Sequence, residues 1–385
     1  MSRKRDLTPY IVDDLKNRMV FIGGPRQVGK TTLALSLLPP KEISQRYLSW
    51  DKTEHQRLII QEKLPIINGR MVLDEIHKYH RWRNFLKGYF DVHKKNLRLI
   101  VTGSARLDYF RKGGDSLFGR YHYYRLHPFS VEEFDSQPSH STVEHLMRCG
   151  GFPEPALRAS ESFLRRWQRE RIAHVVQQDL RDLTRISEIT KIESLLEALP
   201  DRIGSPLSVN SLREDLDCSH GALVTWLKAT DNMYLTFRIS PYGAPKVRAV
   251  KKEQKLYFWD WAMAPNGGSR FENFVASHLL KFCHFIEDTE GYSMELRFLR
   301  DTDRREIDFV VLKDRQPLFA VEAKSGERSC SPHIGYFKER TKIPAYYQVH
   351  LGHKEFRDVK TGTHVLPFYK FATYLKNSGA LLNKK

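Results

Sequence analysis

Cysteine is scarce in this sequence, and its positions define no site. The four cysteines are far apart in the 385 residues and include no Cys-x-x-Cys pair: Cys149, Cys218, Cys283 and Cys330. This spacing argues against a structural zinc site and against a disulfide framework, and it fits a reducing compartment. We therefore expect a cytoplasmic protein.

Long hydrophobic runs, internal repeats and low-complexity segments are also missing. No apolar stretch approaches the roughly 20 residues of a transmembrane helix, and no apolar segment follows the basic residues 1–5 as it would in a secretory signal. We expect no membrane partner. Apolar residues make up 41% of the chain, which is typical of folded proteins. A chain of 385 residues is too long to fold around a single hydrophobic core, so two to four domains are expected.

Acidic residues are in deficit. The sequence has 46 Asp and Glu against 63 Lys and Arg, which gives a formal net charge of +17. A basic balance of this size favours nucleic acid as a partner, with DNA the first candidate. An anionic membrane surface is a weaker alternative, and a merely solvated basic surface remains open.

One segment matches a phosphate-binding loop. Residues 24–31 read GPRQVGKT, which fits G-x-x-x-x-G-K-[ST], between an apolar strand at 19–22 and a helix at 32–38. Such a loop surrounds a polyphosphate with backbone N–H groups, while Lys30 reaches the β- and γ-phosphates and the Thr31 hydroxyl holds Mg²⁺. The expected nucleotide-binding residues are Gly24, Pro25, Arg26, Gln27, Val28, Gly29, Lys30, Thr31 and Thr32.

Further residues predict hydrolysis. The apolar strand 71–74 ends in paired acids, the Walker B pattern, in which Asp74 anchors Mg²⁺ and Glu75 deprotonates the attacking water. Ser104 follows the strand 97–102, which we expect beside the Walker B strand, and it is placed to touch the γ-phosphate or the water. Arg120, or Arg106, is a candidate for stabilising the transition state, within one chain or from a neighbouring subunit. Either arginine is equally compatible with an ordinary surface position.

The predicted elements divide the chain into four parts. Strands near 19–22, 47–51, 71–74, 97–102 and 121–126 alternate with helices in residues 1–140, which predicts an α/β P-loop NTPase core with a parallel sheet. Residues 141–195 are predicted as a helical linker region whose helix over 161–186 has an arginine-rich face. Residues 196–252, with helices at 208–216 and 221–230 followed by strands, predict a winged helix that binds either DNA or a protein.

The part from 253 to 385 carries a second acidic pattern. Asp308 lies on one predicted strand, and Glu322 and Lys324 lie two positions apart on the next, so the latter two share a face. This is the PD-(D/E)xK nuclease pattern, although alternating charged strands also produce it by chance. The carboxylates of Asp308, Glu322 and, from a predicted helix, Glu272 would bind a further Mg²⁺ or Mn²⁺, and Lys324 would activate the attacking water.

Several of these motifs together resemble a known family. The segments GPRQVGKTT, LDEI, VTGS, LFGR (117–120), LHPFS (126–130), EEF (132–134) and GGFPE (150–154) are similar to those of a group of prokaryotic AAA-type ATPases. Members carry a C-terminal domain of unknown function that is similar to the restriction-endonuclease fold. The resemblance implies ATP as the nucleotide, an AAA-like core and a winged helix before the C-terminal domain. His77 departs from it, since glutamine is expected there.

Two functions are consistent with these observations. In the first, a Mg²⁺-dependent ATPase binds DNA through its winged helix and couples nucleotide state to a nuclease-like domain. In the second, the chain is an ATP-driven signalling or scaffold protein whose winged helix and inactive C-terminal domain bind proteins. A homo-oligomer is left open, because rings are common among AAA-type cores.

Overall fold

A computed structural model describes residues 3–65, 68–103, 117–180, 189–243 and 253–382. The chain forms two compact units, Met1–His127 and Pro128–Lys385. This grouping by packing differs from the four predicted segments, because residues 128–140 belong with the second unit and the later segments are not separated from one another.

The first unit is an α/β unit whose strands alternate with helices. The described strands are β1 (Met19–Gly23), β2 (Tyr47–Ser49), β3 (Gly69–Asp74), β4 (Leu97–Thr102) and β5 (Tyr121–Arg125). The described α-helices are α1 (Thr8–Asp14), α2 (Lys30–Ser36), α3 (Ile43–Arg46), α4 (Thr53–Ile60) and α5 (Trp82–His93), with 3₁₀ turns at Pro40–Glu42 and Ile76–Lys78. The five predicted strands are confirmed to within a few residues.

These strands form one parallel sheet in the order β2-β3-β4-β1-β5. Every residue of β1 is buried, because helices cover both faces of a parallel sheet and its strands read as continuous apolar runs. The order places β4 between β1 and β3, so the prediction that β4 lies beside the Walker B strand is confirmed. The carboxyl ends of all five strands meet at one edge.

The second unit begins with short helices. Its described helices up to residue 232 are α6 (Val131–Phe134), α7 (His140–Cys149), α8 (Pro153–Arg158), α9 (Glu161–His174), α10 (Ile189–Ala198), α11 (Val209–Asp215) and α12 (His220–Asn232), with a π-helical segment at Val175–Leu180 and a 3₁₀ turn at Pro200–Arg202. Serine side chains cap several of them. Ser130 accepts from the Glu133 N–H and Ser219 from the Ala222 N–H, so α6 begins directly after Ser130 and α12, predicted at 221–230, begins one residue earlier, after Ser219.

A mixed sheet follows. Its strands are β6 (Thr236–Pro241), β7 (Lys255–Phe258), β8 (Met294–Arg300), β9 (Glu306–Lys313), β10 (Gln316–Lys324), β11 (Tyr346–His350), β12 (Phe356–Arg357) and β13 (His364–Pro367). The helices of this part are α13 (Gly268–Glu290), α14 (Pro332–Lys338) and α15 (Phe368–Leu382), with a 3₁₀ turn at Trp261–Met263. The described strands are ordered β12-β13-β11-β10-β9-β8-β6-β7.

The β6–β7 hairpin connects the predicted winged helix to this sheet. β6 pairs antiparallel with β7 and, through Ser240 and Pro241, parallel with β8. A boundary at 252/253 therefore falls between two strands that pair with each other. The hairpin belongs to the same sheet as the strands that carry Asp308 and Glu322.

Candidate functional site

The loop after β1 has a backbone that requires glycine. Gly24 has φ 133°, and a Cβ there would lie 2.4 Å from the carbonyl oxygen of Leu126. Gly29, with φ 96°, precedes α2 as its N-cap, so the helix begins at Lys30 and not at Thr32 as predicted. A side chain at either glycine would be strained because positive φ is unfavourable for L-residues. Because neither residue has a side chain, the loop can adopt these positive φ angles and can pass close to Leu126 at Gly24.

A buried arginine fastens this loop to the end of β5. The Arg5 guanidinium donates to the carbonyl oxygens of Val28 at 2.6 Å and His127 at 3.0 Å. Arg5 was interpreted from the sequence only as part of a basic N-terminus. The signal that could have identified it is weak, because a single arginine before a helix has no characteristic spacing.

Lys30 lies over its own loop. Its ammonium group donates to the carbonyl oxygens of Gly24 at 2.9 Å and Pro25 at 2.7 Å, and the residue is buried. These partners are neutral, and the side chain is at the position that the motif gives to the phosphate-binding lysine. The donor set therefore fits a polyphosphate.

Asp74 is surrounded by hydroxyl groups at the carboxyl edge of the sheet. Its carboxylate accepts from Thr31 Oγ1 at 3.2 Å, from the Tyr47 hydroxyl at 2.7 Å and from Thr102 Oγ1. The structure thus brings together Thr31 and Asp74, the two residues predicted to hold Mg²⁺. Hydroxyl and carboxylate oxygens are ligands that this ion accepts, so the residues fit it. Burial and the neighbouring carboxylate raise the pKa of Tyr47, which keeps its hydroxyl a donor.

Tyr47 and Thr102 were not predicted as site residues. Thr102 is the last residue of β4, and Tyr47 is the first residue of β2. Thr102 could have been found, because it ends the strand next to the Walker B strand. Tyr47 could not, because its side chain reaches the carboxylate from the opposite end of a three-residue strand.

Glu75 directly follows β3 in a left-handed conformation. Its φ is 55°, and its N–H donates to the Thr102 carbonyl oxygen at 3.0 Å. Burial raises the pKa of the Glu75 carboxyl, and the charges of Lys78 and Lys30 oppose that rise. A carboxylate with a raised pKa is a better proton acceptor than an exposed one. His77 lies with its Nε2 3.6 Å from Glu75 Oε2, so the residue that departs from the family resemblance is a neighbour of the candidate base.

Arg120 is not brought to this site. Its carbonyl oxygen accepts from the Met19 N–H, which places it beside the amino end of β1, about 16 Å of strand away from the loop. Its guanidinium forms two hydrogen bonds with the Asp91 carboxylate, at 2.9 and 2.8 Å. A role for Arg120 at its own chain's nucleotide is therefore incompatible with the fold. Its role toward a neighbouring subunit stays a prediction. Ser104 and Arg106 lie outside the described residues.

The second predicted site lies on the mixed sheet. Asp308 on β9 is beside β10, where its Oδ2 accepts from the Ala323 N–H at 2.8 Å. Glu322 forms a 2.6 Å ion pair with Lys324. Glu272, on α13, accepts from the Tyr257 hydroxyl at 2.8 Å. The adjacency of Asp308 and Glu322 was predicted correctly from their strands.

Two of these carboxylates, Asp308 and Glu272, lie beside the buried Lys255. Lys255 Nζ lies 3.0 Å from Glu272, 3.7 Å from Asp308 and in contact with Glu306. Within the described ranges, no group of three or more His, Cys, Asp or Glu side chains is arranged to hold a metal ion. Burial raises the pKa of Glu322 to about 8, with Asp308 adding to the rise. The arrangement does not fit a divalent ion bound by Asp308, Glu322 and Glu272.

The helical part of the second unit has the element order expected for a winged helix. Helices α10, α11 and α12 precede the β6–β7 hairpin, and Pro206 forms a single bridge with Lys255. The exposed residues of α12 include Val224, Thr225 and Lys228. The predicted wing carries the basic residues Lys246, Arg248, Lys251 and Lys252, which lie outside the described residues.

The arginine-rich face of α9 is present with one exception. Arg165, Arg166 and Arg169 are exposed, as predicted. Arg171 is buried instead, with its guanidinium 4.2 Å from the centre of the Phe152 ring and donating to the Tyr234 carbonyl oxygen at 3.3 Å. Burial lowers the pKa of Arg171 to about 10. Aromatic and carbonyl partners replace water around this side chain, which helical periodicity alone could not reveal.

Three family models match successive parts of the chain. Residues 16–135 match a family described as "AAA domain", residues 140–266 match "Domain of unknown function (DUF8612)", and residues 267–371 match "Domain of unknown function (DUF4143)". Over residues 16–135 the chain is thus similar to AAA-type ATPases, which supports ATP binding at the loop. The second match ends after β7, in agreement with the pairing of β6 and β7.

Individual relatives are distant. "Uncharacterized protein MJ1637" of Methanocaldococcus jannaschii is 22% identical over 391 residues, covering 85% of this chain and 79% of that protein. The Aeropyrum pernix ORC1 protein, solved in complex with DNA, has a TM-score of 0.33 at 12% identity, covering 67% of this chain and 90% of its own.

A second solved structure is similarly remote. A signal transduction ATPase with numerous domains and a tetratricopeptide repeat sensor, from Pyrococcus horikoshii, has a TM-score of 0.31 at 12% identity, covering 74% of this chain and 48% of its own. Both TM-scores are too low for either structure to inform the fold or function of this chain.

No described helix combines the length and apolar character needed to cross a membrane.

Proposed function

We propose that the first unit binds ATP with Mg²⁺ and hydrolyses it. The observation that carries this proposal is the meeting of Lys30, Thr31 and Asp74 at the carboxyl edge of the parallel sheet. Lys30 already points at the loop carbonyls, and Thr31 and Asp74 are in hydrogen-bonding contact. When bound, Mg²⁺ would neutralise phosphate charge between Thr31 and Asp74.

The residues of this chain then have separate roles. The loop 24–29 binds the phosphates through backbone N–H groups, and Lys30 leaves the Gly24 and Pro25 carbonyl oxygens to bind them as well. Tyr47 and Thr102 keep the Asp74 carboxylate oriented. Glu75 orients the attacking water and accepts its proton, which its raised pKa favours.

The Glu75→Gln variant tests this assignment. It retains the size of the side chain but removes the proton acceptor, so we expect ATP affinity to be preserved and hydrolysis to fall by about 100-fold or more. The matched control is Glu54→Gln, on the exposed face of α4 in the same unit, which should hydrolyse ATP like the wild type. Equal hydrolysis by Glu75→Gln and wild type would show that Glu75 is not the base.

A second activity, DNA binding by the second unit, is favoured by its exposed basic residues. Arg165, Arg166 and Arg169 lie exposed on α9, the chain has a net charge of +17, and α12 occupies the place of a recognition helix in the winged-helix order. Protein binding through the same elements is the competing interpretation, since α12 also exposes Val224. Coupling of DNA binding to nucleotide state forms part of this proposal, because both functions lie in one chain.

Duplex DNA affinity as a function of salt separates the two interpretations. We expect affinity to fall steeply with salt, with a shallower slope after Arg165, Arg166 and Arg169 are changed to Glu. The control changes three exposed lysines of the first unit, Lys52, Lys87 and Lys95, to Glu, which alters net charge equally. No affinity for DNA would favour the protein-binding alternative. An affinity that is the same with and without ATP would contradict coupling.

A further inference from the structure

Lys255 is a fully buried lysine that the proposed functions do not use. It is the first residue of β7 and pairs with Ile239, next to the part of β6 that joins β8. Its side chain is 0% exposed, and its Nζ lies 5.6 Å from the centre of the Phe298 ring on β8. A charged ammonium group in such a place is costly unless it is paired. The fold therefore has to supply it with anions.

Three carboxylates from two elements supply them. Glu306 and Asp308 share one face of β9 because they are two residues apart, and Glu272 comes from α13. All three lie within ion-pair distance of Lys255 Nζ, with Glu272 at 3.0 Å and Asp308 at 3.7 Å. Oxygens of three carboxylates thus surround a single ammonium nitrogen.

The remaining charges of the cluster are also paired. Arg300 binds Glu306 at 2.7 Å, and Lys324 binds Glu322 at 2.6 Å. Four carboxylates, those of Glu272, Glu306, Asp308 and Glu322, thus face three cations, those of Lys255, Arg300 and Lys324. Of these three cations, Lys255 is the one that contacts three carboxylates.

We propose that the ammonium group of Lys255 is the resident cation of this cluster and fills the position that a divalent metal ion would otherwise take. Two carboxylates of the pattern that predicts a nuclease metal site, Glu272 and Asp308, are thus paired with a cation of the chain itself. The second unit then needs no metal ion at Glu272, Glu306 and Asp308, either for its stability or for its binding of a partner. This inference is independent of the ATPase site, which lies in the other unit.

The test measures thermal unfolding and Mn²⁺ binding by calorimetry on the 385-residue chain without nucleotide. In the wild type we expect Mn²⁺ to leave the unfolding temperature unchanged. In Lys255→Met, three carboxylates lose their common cation, so the unfolding temperature should fall in metal-free buffer. Mn²⁺ should restore most of the loss and bind with one additional equivalent. The recovery with Mn²⁺ and the additional bound equivalent should disappear in the double variant Lys255→Met with Asp308→Asn.

Lys354→Met is the matched control. Lys354 forms an exposed ion pair with Glu327 in the same unit, and its loss should change neither the unfolding temperature nor the response to Mn²⁺. If Lys255→Met does not yield folded protein, the double variant Lys255→Met with Glu306→Gln is measured in its place. It removes one charge of each sign, and Mn²⁺ should raise its unfolding temperature too. A wild type that Mn²⁺ stabilises, with the effect abolished by Asp308→Asn, would overturn the proposal. So would a Lys255→Met protein that is as stable as the wild type or does not respond to Mn²⁺.

Discussion

The two units treat a buried carboxylate in opposite ways. In the first, Asp74 accepts hydrogen bonds from three hydroxyl groups, and in the described parts of the chain it forms no ion pair. In the second, Glu272, Glu306 and Asp308 are held by the charge of Lys255. Hydroxyl donors leave the negative charge of Asp74 uncompensated. The ammonium group of Lys255 offsets one negative charge among the carboxylates that it contacts.

This difference predicts which region is ready for a cation. A carboxylate oriented by neutral donors attracts Mg²⁺, because binding replaces weak partners by a strong one. A carboxylate already paired inside the protein gains little from a metal ion and would first have to lose its partner, which is costly in a buried position. The first unit is therefore arranged for a ligand, and the second is arranged around its own side chains.

His278, on α13, is another example of internal pairing in the second unit. Its Nδ1 is 2.8 Å from the Phe274 carbonyl oxygen, and its Nε2 accepts from the Val131 N–H at 3.2 Å. The ring is buried and must be neutral to accept at Nε2 while donating at Nδ1. Burial accordingly lowers the pKa of His278 to about 3.

The largest effect that would sharpen this comparison is expected from Lys30→Met. Removing the phosphate-binding ammonium should reduce hydrolysis by about 100-fold or more, because charge stabilisation at a transferring phosphoryl group is a major part of catalysis. Steady-state ATPase rates check this, with Lys87→Met, an exposed lysine on α5, as the control. A small effect would mean that Lys30 does not contribute to ATP hydrolysis and that the first unit is no better arranged to bind a ligand than the second.

A second prediction concerns pH and the second unit. The pKa of His278 is lowered on folding, so it stabilises the protein above its ordinary pKa near 6.5, and that stability is lost as pH falls toward about 3. The free energy of unfolding should decrease by up to about 1.4 kcal/mol per pH unit in this window from this group. His278→Gln should make the dependence shallower. Chemical denaturation between about pH 7 and about pH 5, which covers the upper part of this window, measures it.

An unchanged pH dependence in His278→Gln would show that the ring does not remain neutral in the folded protein. His220, exposed at the start of α12, provides the matched control. His220→Gln should leave the slope as it is in the wild type, because this side chain lies in water.

The smallest expected effect is that of Tyr47→Phe. It removes one of three hydroxyl donors to Asp74 and leaves Thr31 and Thr102 in place. We expect about 1 kcal/mol, or roughly fivefold, in the Mg²⁺ dependence of hydrolysis. Titration of the ATPase rate with Mg²⁺ measures it. Complete loss of activity would mean that Tyr47 has a direct role beyond orienting the carboxylate.

Much of the first unit could be predicted from its sequence because its signals are local. The loop 24–31 and the acids 74–75 each follow an apolar strand, and parallel strands bring their carboxyl ends to one edge, so proximity follows from the strand order. Tyr47 and Arg5 could not be predicted, because each reaches the site from a distant element without a characteristic spacing.

Lys255 is the clearest case of information that the sequence alone does not provide. Asp308, Glu322 and Lys324 were identified by their spacing on neighbouring strands. Lys255 lies at the start of the same predicted part, but no spacing relates it to them, and its partner strand β6 was assigned to the preceding winged helix. Its lysine-x-tyrosine alternation with Tyr257 was a signal, since both side chains share a face of β7 and contact Glu272. Only the pairing of β6 with β8 shows which face that is.

The position of β6 within the mixed sheet limits how the chain can be divided. β6 lies between β7 and β8, so a polypeptide that starts after residue 252 would keep β7 and β8 but lose the strand that joins them. β7 would have no neighbour, and the β8 edge would be open to pairing with other molecules, a common route to aggregation. Expression of the C-terminal part should therefore begin upstream of α10.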